Sequence, residues 1–249
     1  MADLASVRSG KGVSMADAEA KRASLGELAE DTTGFGGVEW HTARDLLLRP
    51  RAVLDAYEAG GATGGGRYAR PFRFYLALCG VLMFFLFLVG GTKRMIEQTP
   101  PQLLDRAIAV AGKSREAFVN DADGWLTFTI TPILALFYAL ALAPAIKRWG
   151  ETGWRVAFRA TFALMCAWTV PVLALGPLPY LDQFGLVSAL AMYALLVVAF
   201  VRMGRGRWWH SRPQAVGRSI ILLILIQIGV LVGTIPVMAV GLLGGIYGS

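Results

Sequence analysis

The side chains that usually carry catalysis or bind metal are few and scattered in this sequence. Cys79 and Cys166 lie inside long apolar runs, and the two histidines, His41 and His210, have no second ligand nearby. Metal sites need clustered Cys, His or carboxylate ligands, and no nucleophile, phosphate-loop or dinucleotide motif is present. We therefore predict no catalytic residue, no metal ligand and no cofactor, and interpret both cysteines as small core residues.

One short segment combines arginines with tryptophans. Such segments attract the anionic head groups of lipids, but they also arise because the cytoplasmic loops of membrane proteins are basic. Both interpretations stay open at this stage. The candidate head-group contacts are Arg205, Arg207, Trp208, Trp209, Arg212 and Arg218.

A second group of candidates lies in the last apolar run. The amide of Gln227 would be costly facing lipid, so it either bonds another helix or contacts a substrate. Gly229 and Gly233 are spaced for close helix–helix approach, within the chain or in a dimer. Together with Pro236 these residues would suit the broken-helix site of a small transporter.

The elements that must position these residues are long apolar helices. The chain has 249 residues, of which 55% are hydrophobic and 16% are charged, whereas soluble domains carry about 25% charged residues. An uncharged run of about 20 residues spans a bilayer as a helix. We predict an all-α integral membrane protein, a five-helix transmembrane bundle with short amphipathic helices on both faces. The predicted spans are 72–91, 126–145, 157–176, 185–203 and 219–243.

The spans define three regions of the chain. Residues 1–40 are polar and predicted to be flexible, and residues 41–66 form an amphipathic interfacial segment with a glycine-rich link. The transmembrane domain covers residues 67–249 and includes an outer loop at 92–125.

The segment before the first span contains a predicted short helix. Pro50 is a favourable first residue, and Leu47, Val53, Leu54 and Tyr57 form an apolar stripe. The helix either lies on the membrane surface or docks on the ends of the spans, and the two interpretations are compatible.

The outer loop contains a second predicted amphipathic helix. It begins near Pro101 and ends at Gly112, and Ser114 caps a further short helix through Phe118. The first helix is either an element that docks a partner or acts as a gate, or a surface helix that rests on lipid or on the bundle.

Charge asymmetry predicts the orientation, because Lys and Arg near span ends stay in the cytoplasm. Basic residues precede span one, follow span two and follow span four, whereas the opposite connections are neutral or acidic. We expect a multi-pass protein of the bacterial inner membrane with its N-terminus in the cytoplasm and its C-terminus in the periplasm. The N-terminal region is acidic, so we expect no nucleic-acid partner.

A stretch of about 35 residues resembles a bacterial family of multi-span membrane proteins whose activity is uncharacterised. The resemblance is carried by Asp45-Leu-Leu-Leu-Arg-Pro50, by Val53-Leu-Asp-Ala-Tyr57 and by Arg67-Tyr-Ala-Arg-Pro71. It implies a short segment leading into the first of several spans. Many members carry an N-terminal zinc ribbon, which this chain lacks because no cysteine precedes Cys79. The layout is also loosely similar to that of the five-span Yip-type trafficking proteins.

These observations favour a protein that is not an enzyme. The first hypothesis is a role in organising, assembling or recruiting membrane partners, with lipids and a membrane-protein partner or a second copy as expected contacts. The alternative is a small transporter, channel or lipid-handling protein without proton-coupling residues, since the spans lack ionisable side chains away from their ends. A third hypothesis, an interfacial enzyme using His41, Asp45 and the arginine segment, has no specific support.

Overall fold

The fold is described by a computed structural model that covers residues 36–60, 67–176, 178, 181 and 184–248. These residues form helices and no β-strand. Five of the helices are long and apolar enough to cross a membrane. The predicted all-α membrane bundle is therefore confirmed, and the protein is a multi-pass membrane protein.

The described residues form nine helices. Five of them, α3, α6, α7, α8 and α9, are the membrane spans. We call the side that holds α1 and α2 the α1–α2 face, and the opposite side the α4–α5 face. The bounds are α1 Gly37–Leu48, α2 Pro50–Ala59, α3 Pro71–Leu88, α4 Gly91–Glu97, α5 Pro101–Ala111, α6 Arg115–Gly150, α7 Trp154–Leu173, α8 Gly185–Gly204 and α9 Arg212–Tyr247.

The N-terminal boundaries differ from the prediction. Residues 37–40 belong to α1 and not to a flexible region. The rest of the predicted flexible region, at 1–35, and most of the glycine-rich link, at 61–66, lie outside the described residues.

Helices α6 and α9 are much longer than the apolar runs predicted for them. Each has 36 residues and is about 54 Å long, which exceeds the hydrocarbon thickness of about 30 Å. The Ser114 side chain accepts a hydrogen bond from the Ala117 amide and so caps α6. The separate short helix predicted from Ser114 to Phe118 is therefore wrong, because these residues form the first turn of α6.

Helix α9 packs along α6 through glycines. A Cβ atom at Gly233 would lie 3.0 Å from Leu134, and one at Gly245 would lie 2.6 Å from the Phe118 ring. Helices in lipid associate by close packing of small residues. Gly229 and Gly233 thus pack within the chain, and the contact continues to the end of α9.

Helix α7 lies at the centre of the bundle and is the most buried span. It packs against α3 and α6, and α2 also contacts it. The side chains of Val53, Leu54 and Tyr57 are fully buried, whereas Leu47 is exposed. Helix α2 therefore docks its apolar face on the ends of the spans, so this face is not free to enter the membrane surface.

The predicted outer helix is confirmed as α5. It begins at Pro101, and Gly112 ends it in the left-handed conformation, with φ of 65°. Leu104 and Ala107 are buried against the bundle, with Ile96 of α4 in the same apolar cluster. Helices α4 and α5 together cover one end of the spans.

Candidate functional site

A half-open cavity of about 380 Å³ lies between the spans. Its walls come from α3, α6, α7 and α8, and Met95 of α4 contributes to the wall as well. Among the described residues that line it, none is charged. The lining residues are Tyr75, Cys79, Leu82, Met83, Leu86, Met95, Ile130, Thr131, Leu134, Tyr138, Trp168, Thr169, Val172 and Met192.

The cavity wall is apolar apart from a few hydroxyl-bearing and aromatic side chains. Thr131 and Thr169 contribute hydroxyls from α6 and α7, and Tyr75 contributes one from α3. The indole of Trp168 donates a 2.8 Å hydrogen bond to the Met192 carbonyl, so its orientation is fixed. A few polar groups in an apolar concave wall are typical of sites for small, neutral ligands.

The threonine hydroxyls within the spans divide into two sets. Thr131 and Thr169 face the cavity, whereas Thr161 and Thr234 bond backbone carbonyls of their own helices. The cavity itself was missed, because its residues come from helices far apart in the chain. The only available signal was the repeated occurrence of hydroxyl side chains within apolar spans.

The two cysteines lie in the bundle interior. Cys79 is 7% exposed at the cavity wall, and Cys166 is fully buried. The Cys166 thiol donates a 3.4 Å hydrogen bond to the Pro71 carbonyl at the start of α3. In the described part of the chain, no group of three His, Cys, Asp or Glu residues is arranged to hold a metal ion.

A buried polar cluster joins α1 to the start of α3. The Tyr68 hydroxyl donates a 2.9 Å hydrogen bond to Asp45, whose carboxylate is almost fully buried. The Ala69 amide donates to the Thr42 hydroxyl, and the Tyr57 hydroxyl donates to the Ala69 carbonyl. We call these five residues the Asp45 cluster. It fixes α1 and α2 on the bundle.

Basic side chains surround the Asp45 carboxylate. Arg44 lies 3.2 Å away, and His41 and Arg67 lie 3.7 and 3.9 Å away. Burial alone raises the pKa of Asp45, but the hydrogen bonds from Tyr68 and Arg44 and the charges of His41 and Arg44 outweigh it. The pKa of Asp45 therefore lies below its ordinary value, and the carboxylate is ionised at neutral pH.

A second buried carboxyl, Glu58, lies at the end of α2. Its Oε2 atom is 2.7 Å from Arg207. Burial raises the pKa of Glu58, and the nearby charges of Arg207 and Arg51 offset only part of this effect. The sequence had not identified Glu58 as a partner of the arginine segment, because the two are about 150 residues apart.

The arginine and tryptophan segment does not form a single exposed surface. Trp208 is fully buried and stacks on Phe200, with ring centroids 5.5 Å apart. The predicted contact of Trp208 with lipid head groups is therefore wrong. The side chain turns inward because Gly204, directly beneath it, has no Cβ: one placed there would lie 2.6 Å from the indole.

The other predicted head-group contacts divide into two sets. Arg207 pairs with Glu58, and Arg218 donates to the Trp208 carbonyl and lies over the Trp149 ring, so both have structural roles. The remaining three are Arg205, Arg212 and Trp209. The two arginines are exposed and Trp209 is partly buried. Arg212 is the first residue of α9 and not part of a loop.

The predicted broken-helix site in the last span does not form. Helix α9 is continuous through Pro236. Gly229 faces Tyr138 of α6, with an added Cβ 3.2 Å from its ring, and Gly233 faces the same helix. Gln227 is exposed on the bundle surface and donates a hydrogen bond to the Tyr193 hydroxyl of α8, which agrees with interhelical bonding and lies away from the cavity.

Comparisons of the chain with models of protein families, with curated proteins and with solved structures gave no match.

Proposed function

We propose that this protein is a non-enzymatic, lipid-handling membrane protein that holds a neutral, apolar chain inside its bundle. The cavity between the spans carries this proposal. Its volume of about 380 Å³ lies in the range of small-molecule sites.

The chemistry of the wall restricts the occupant. Ionic groups would need a charged partner in a low-dielectric site, and the wall offers none. Leu86, Met83 and Met95 suit a hydrocarbon or isoprenoid chain, because methionine side chains adapt to irregular apolar shapes. The threonine and tyrosine hydroxyls suit one neutral polar group on the ligand. The ligand class is therefore a membrane lipid or a lipid-like molecule with an uncharged chain.

Native mass spectrometry tests this proposal on protein extracted gently from its own membrane. We expect the wild-type chain to retain one molecule per chain that organic extraction identifies as a lipid. Thr131→Trp would fill the cavity and abolish that adduct. Thr129→Trp is the matched control, because two residues along a helix point to nearly opposite sides and Thr129 does not line the cavity. Retention of the same adduct by Thr131→Trp would contradict the proposal.

A second candidate function is the organisation of membrane partners. The observation that favours it is the outer side of α5, where Leu103 is 53% and Val110 is 73% exposed while Leu104 and Ala107 face the bundle. Photocrosslinking from a benzoylphenylalanine at Val110 tests it. A single protein adduct of defined mass supports this role, and adducts with lipid alone contradict it.

We also propose that the α1–α2 face is cytoplasmic and that the protein lies in a bacterial inner membrane. Support for the orientation comes from the arginines on this face, among them Arg49, Arg148, Arg155 and Arg205. Support for a bacterial origin comes from the family resemblance of the α1–α2 segment. Single cysteines at Thr152 and Gly112, introduced after both native cysteines are replaced by serine, test the orientation. An impermeant maleimide should label only the position at Gly112 in intact cells.

A further inference from the structure

A basic groove lies on the α1–α2 face where the start of α2 meets the end of α8. Arg49 and Arg51 come from the α2 side, and Arg202 and Arg205 come from the α8 side. Among the described residues that line the groove, Asp55 is the only acidic one. None of these residues also lines the intramembrane cavity.

Two of the arginines form hydrogen bonds that join the walls of the groove. Arg51 donates a 2.8 Å hydrogen bond to the Arg205 carbonyl and forms an ion pair with Asp55 at 3.0 Å. Arg202 donates a 3.2 Å hydrogen bond to the Leu48 carbonyl. These contacts join the two walls, so the groove does not depend on a ligand for its shape.

The turn that carries Arg205 is also held in place. Gly206 adopts φ of 74°, and its amide donates a 2.8 Å hydrogen bond to the Trp209 carbonyl. The buried Trp208 anchors the same turn in the bundle. The position of Arg205 is therefore set by backbone contacts and not by its own guanidinium.

The guanidinium groups of Arg49 and Arg205 have no partner among the described residues. Both side chains are exposed and lie on opposite walls of the groove. Two guanidinium groups without a partner in the described part of the chain provide charge-assisted donors that suit phosphate oxygens.

The groove has an apolar edge beside its charged walls. Leu48 lines it and is 64% exposed. On α8, Val201 also lines the groove, and Val198 is 50% exposed one turn nearer the membrane centre. A soluble phosphate would gain nothing from this edge, whereas the acyl chain of a lipid continues along it.

From this combination we infer that the groove binds the phosphate of an anionic phospholipid, with Arg49 and Arg205 as its direct contacts and Arg51 and Arg202 as positioning residues. The inference goes beyond the proposed function, because the bound phospholipid is a separate molecule from the occupant of the cavity. It also changes the set of predicted head-group contacts. Arg49 is added, whereas Trp208, Arg207 and Arg218 are removed because they have structural roles.

The test uses the full chain, delipidated in a non-ionic detergent and titrated with phosphatidylglycerol while native mass spectrometry counts bound lipids. We expect one saturable site, and a loss of affinity of roughly tenfold to thirtyfold in Arg49→Gln/Arg205→Gln, because each arginine contributes about 1 kcal/mol to anionic lipid binding. The matched control is Arg148→Gln/Arg155→Gln, which removes two exposed arginines from the same face. It should bind like the wild type.

Four results would overturn the inference. Three are wild-type affinity in the Arg49→Gln/Arg205→Gln variant, an equal loss in the control variant, and equal binding of zwitterionic phosphatidylcholine. The fourth is displacement of the lipid by an equal concentration of glycerol phosphate, which would show that the site takes a soluble phosphate. The cavity variant Thr131→Trp leaves this groove intact, so failure here and failure of the proposed function are distinguishable.

Discussion

On the α4–α5 face, helices α6 and α9 meet through glycines, whereas on the α1–α2 face the connections between helices are fixed by buried aromatic and polar side chains. At the first end, Gly245 lets the Phe118 ring lie against the α9 backbone. At the second end, Trp208 fills the space between α8 and the bundle, and Asp45 joins α1 to α3. The difference follows from what is joined. Two antiparallel spanning helices need only close approach, whereas short helices outside the spans need specific anchors.

The largest effect should come from the aromatic anchor. Trp208→Ala should lower the free energy of unfolding by about 3–5 kcal/mol, because it empties the space beneath the α8–α9 turn. Denaturation in mixed micelles, followed by circular dichroism, measures this change. Trp154→Ala is the control, since that side chain is half exposed, and it should cost much less. Equal losses in both variants would show that Trp208 is not an anchor.

Overpacking of the glycine contact should have the next largest effect. Gly245→Leu should cost about 1–3 kcal/mol, because the new side chain must displace the Phe118 ring or separate α6 from α9. Gly217→Leu on the same helix is the control, because an added Cβ there meets nothing within 4 Å. The same denaturation assay compares them. A stability of Gly245→Leu equal to that of Gly217→Leu would contradict close packing at this end.

The sequence predicts the positions of the helices better than their lengths. The spans and the starts of α2 and α5 follow from local patterns, namely long apolar runs and prolines at Pro50 and Pro101. The lengths of α6 and α9 do not, because hydropathy marks only the part of a helix that lies in lipid. Polar flanking turns continue the helix once Ser114 and Ser211 cap it.

The inward turn of Trp208 is not visible in the sequence. Nothing in its neighbours separates it from Trp209, and only the bare backbone of Gly204 and the left-handed turn at Gly206 decide which ring is buried. The cavity and the arginine groove are hidden for another reason. The cavity and the groove each combine residues that are distant in sequence, as Arg49 and Arg205 are. The periodicity of apolar residues does not show which helices pack against each other.

A smaller effect should come from removing one hydrogen bond within the Asp45 cluster. Tyr57→Phe should cost about 1 kcal/mol, because it removes the 2.7 Å bond to the Ala69 carbonyl while keeping the buried ring. Tyr247→Phe is the control, since Tyr247 is 80% exposed, and its stability should be unchanged. If the two variants unfold at the same denaturant concentration, the cluster does not contribute to stability.

The smallest effect expected is the change in stability as the buried carboxyls of the α1–α2 face titrate. The folded-state pKa of Asp45 lies below the ordinary value of 3.8, so its contribution to stability is complete above that value and is lost as pH falls through the folded pKa. Unfolding midpoints measured from pH 7 down to pH 3 should therefore fall less steeply in Asp45→Asn than in the wild type, since asparagine keeps an acceptor for Tyr68 but does not titrate.

Glu58 supplies the opposite sign and a control within the same face. Its folded-state pKa is raised above the ordinary value of 4.5, so acidification between that value and the raised pKa stabilises the folded protein. Glu58→Gln removes this gain and should make the acid-induced loss steeper than in the wild type. Gly233 lies against Leu134 and Phe137, neither of which titrates, so Gly233→Leu should shift every midpoint by the same amount. A pH profile of Asp45→Asn parallel to that of the wild type would mean that the acid response arises elsewhere and that the Asp45 cluster is held by its neutral hydrogen bonds alone.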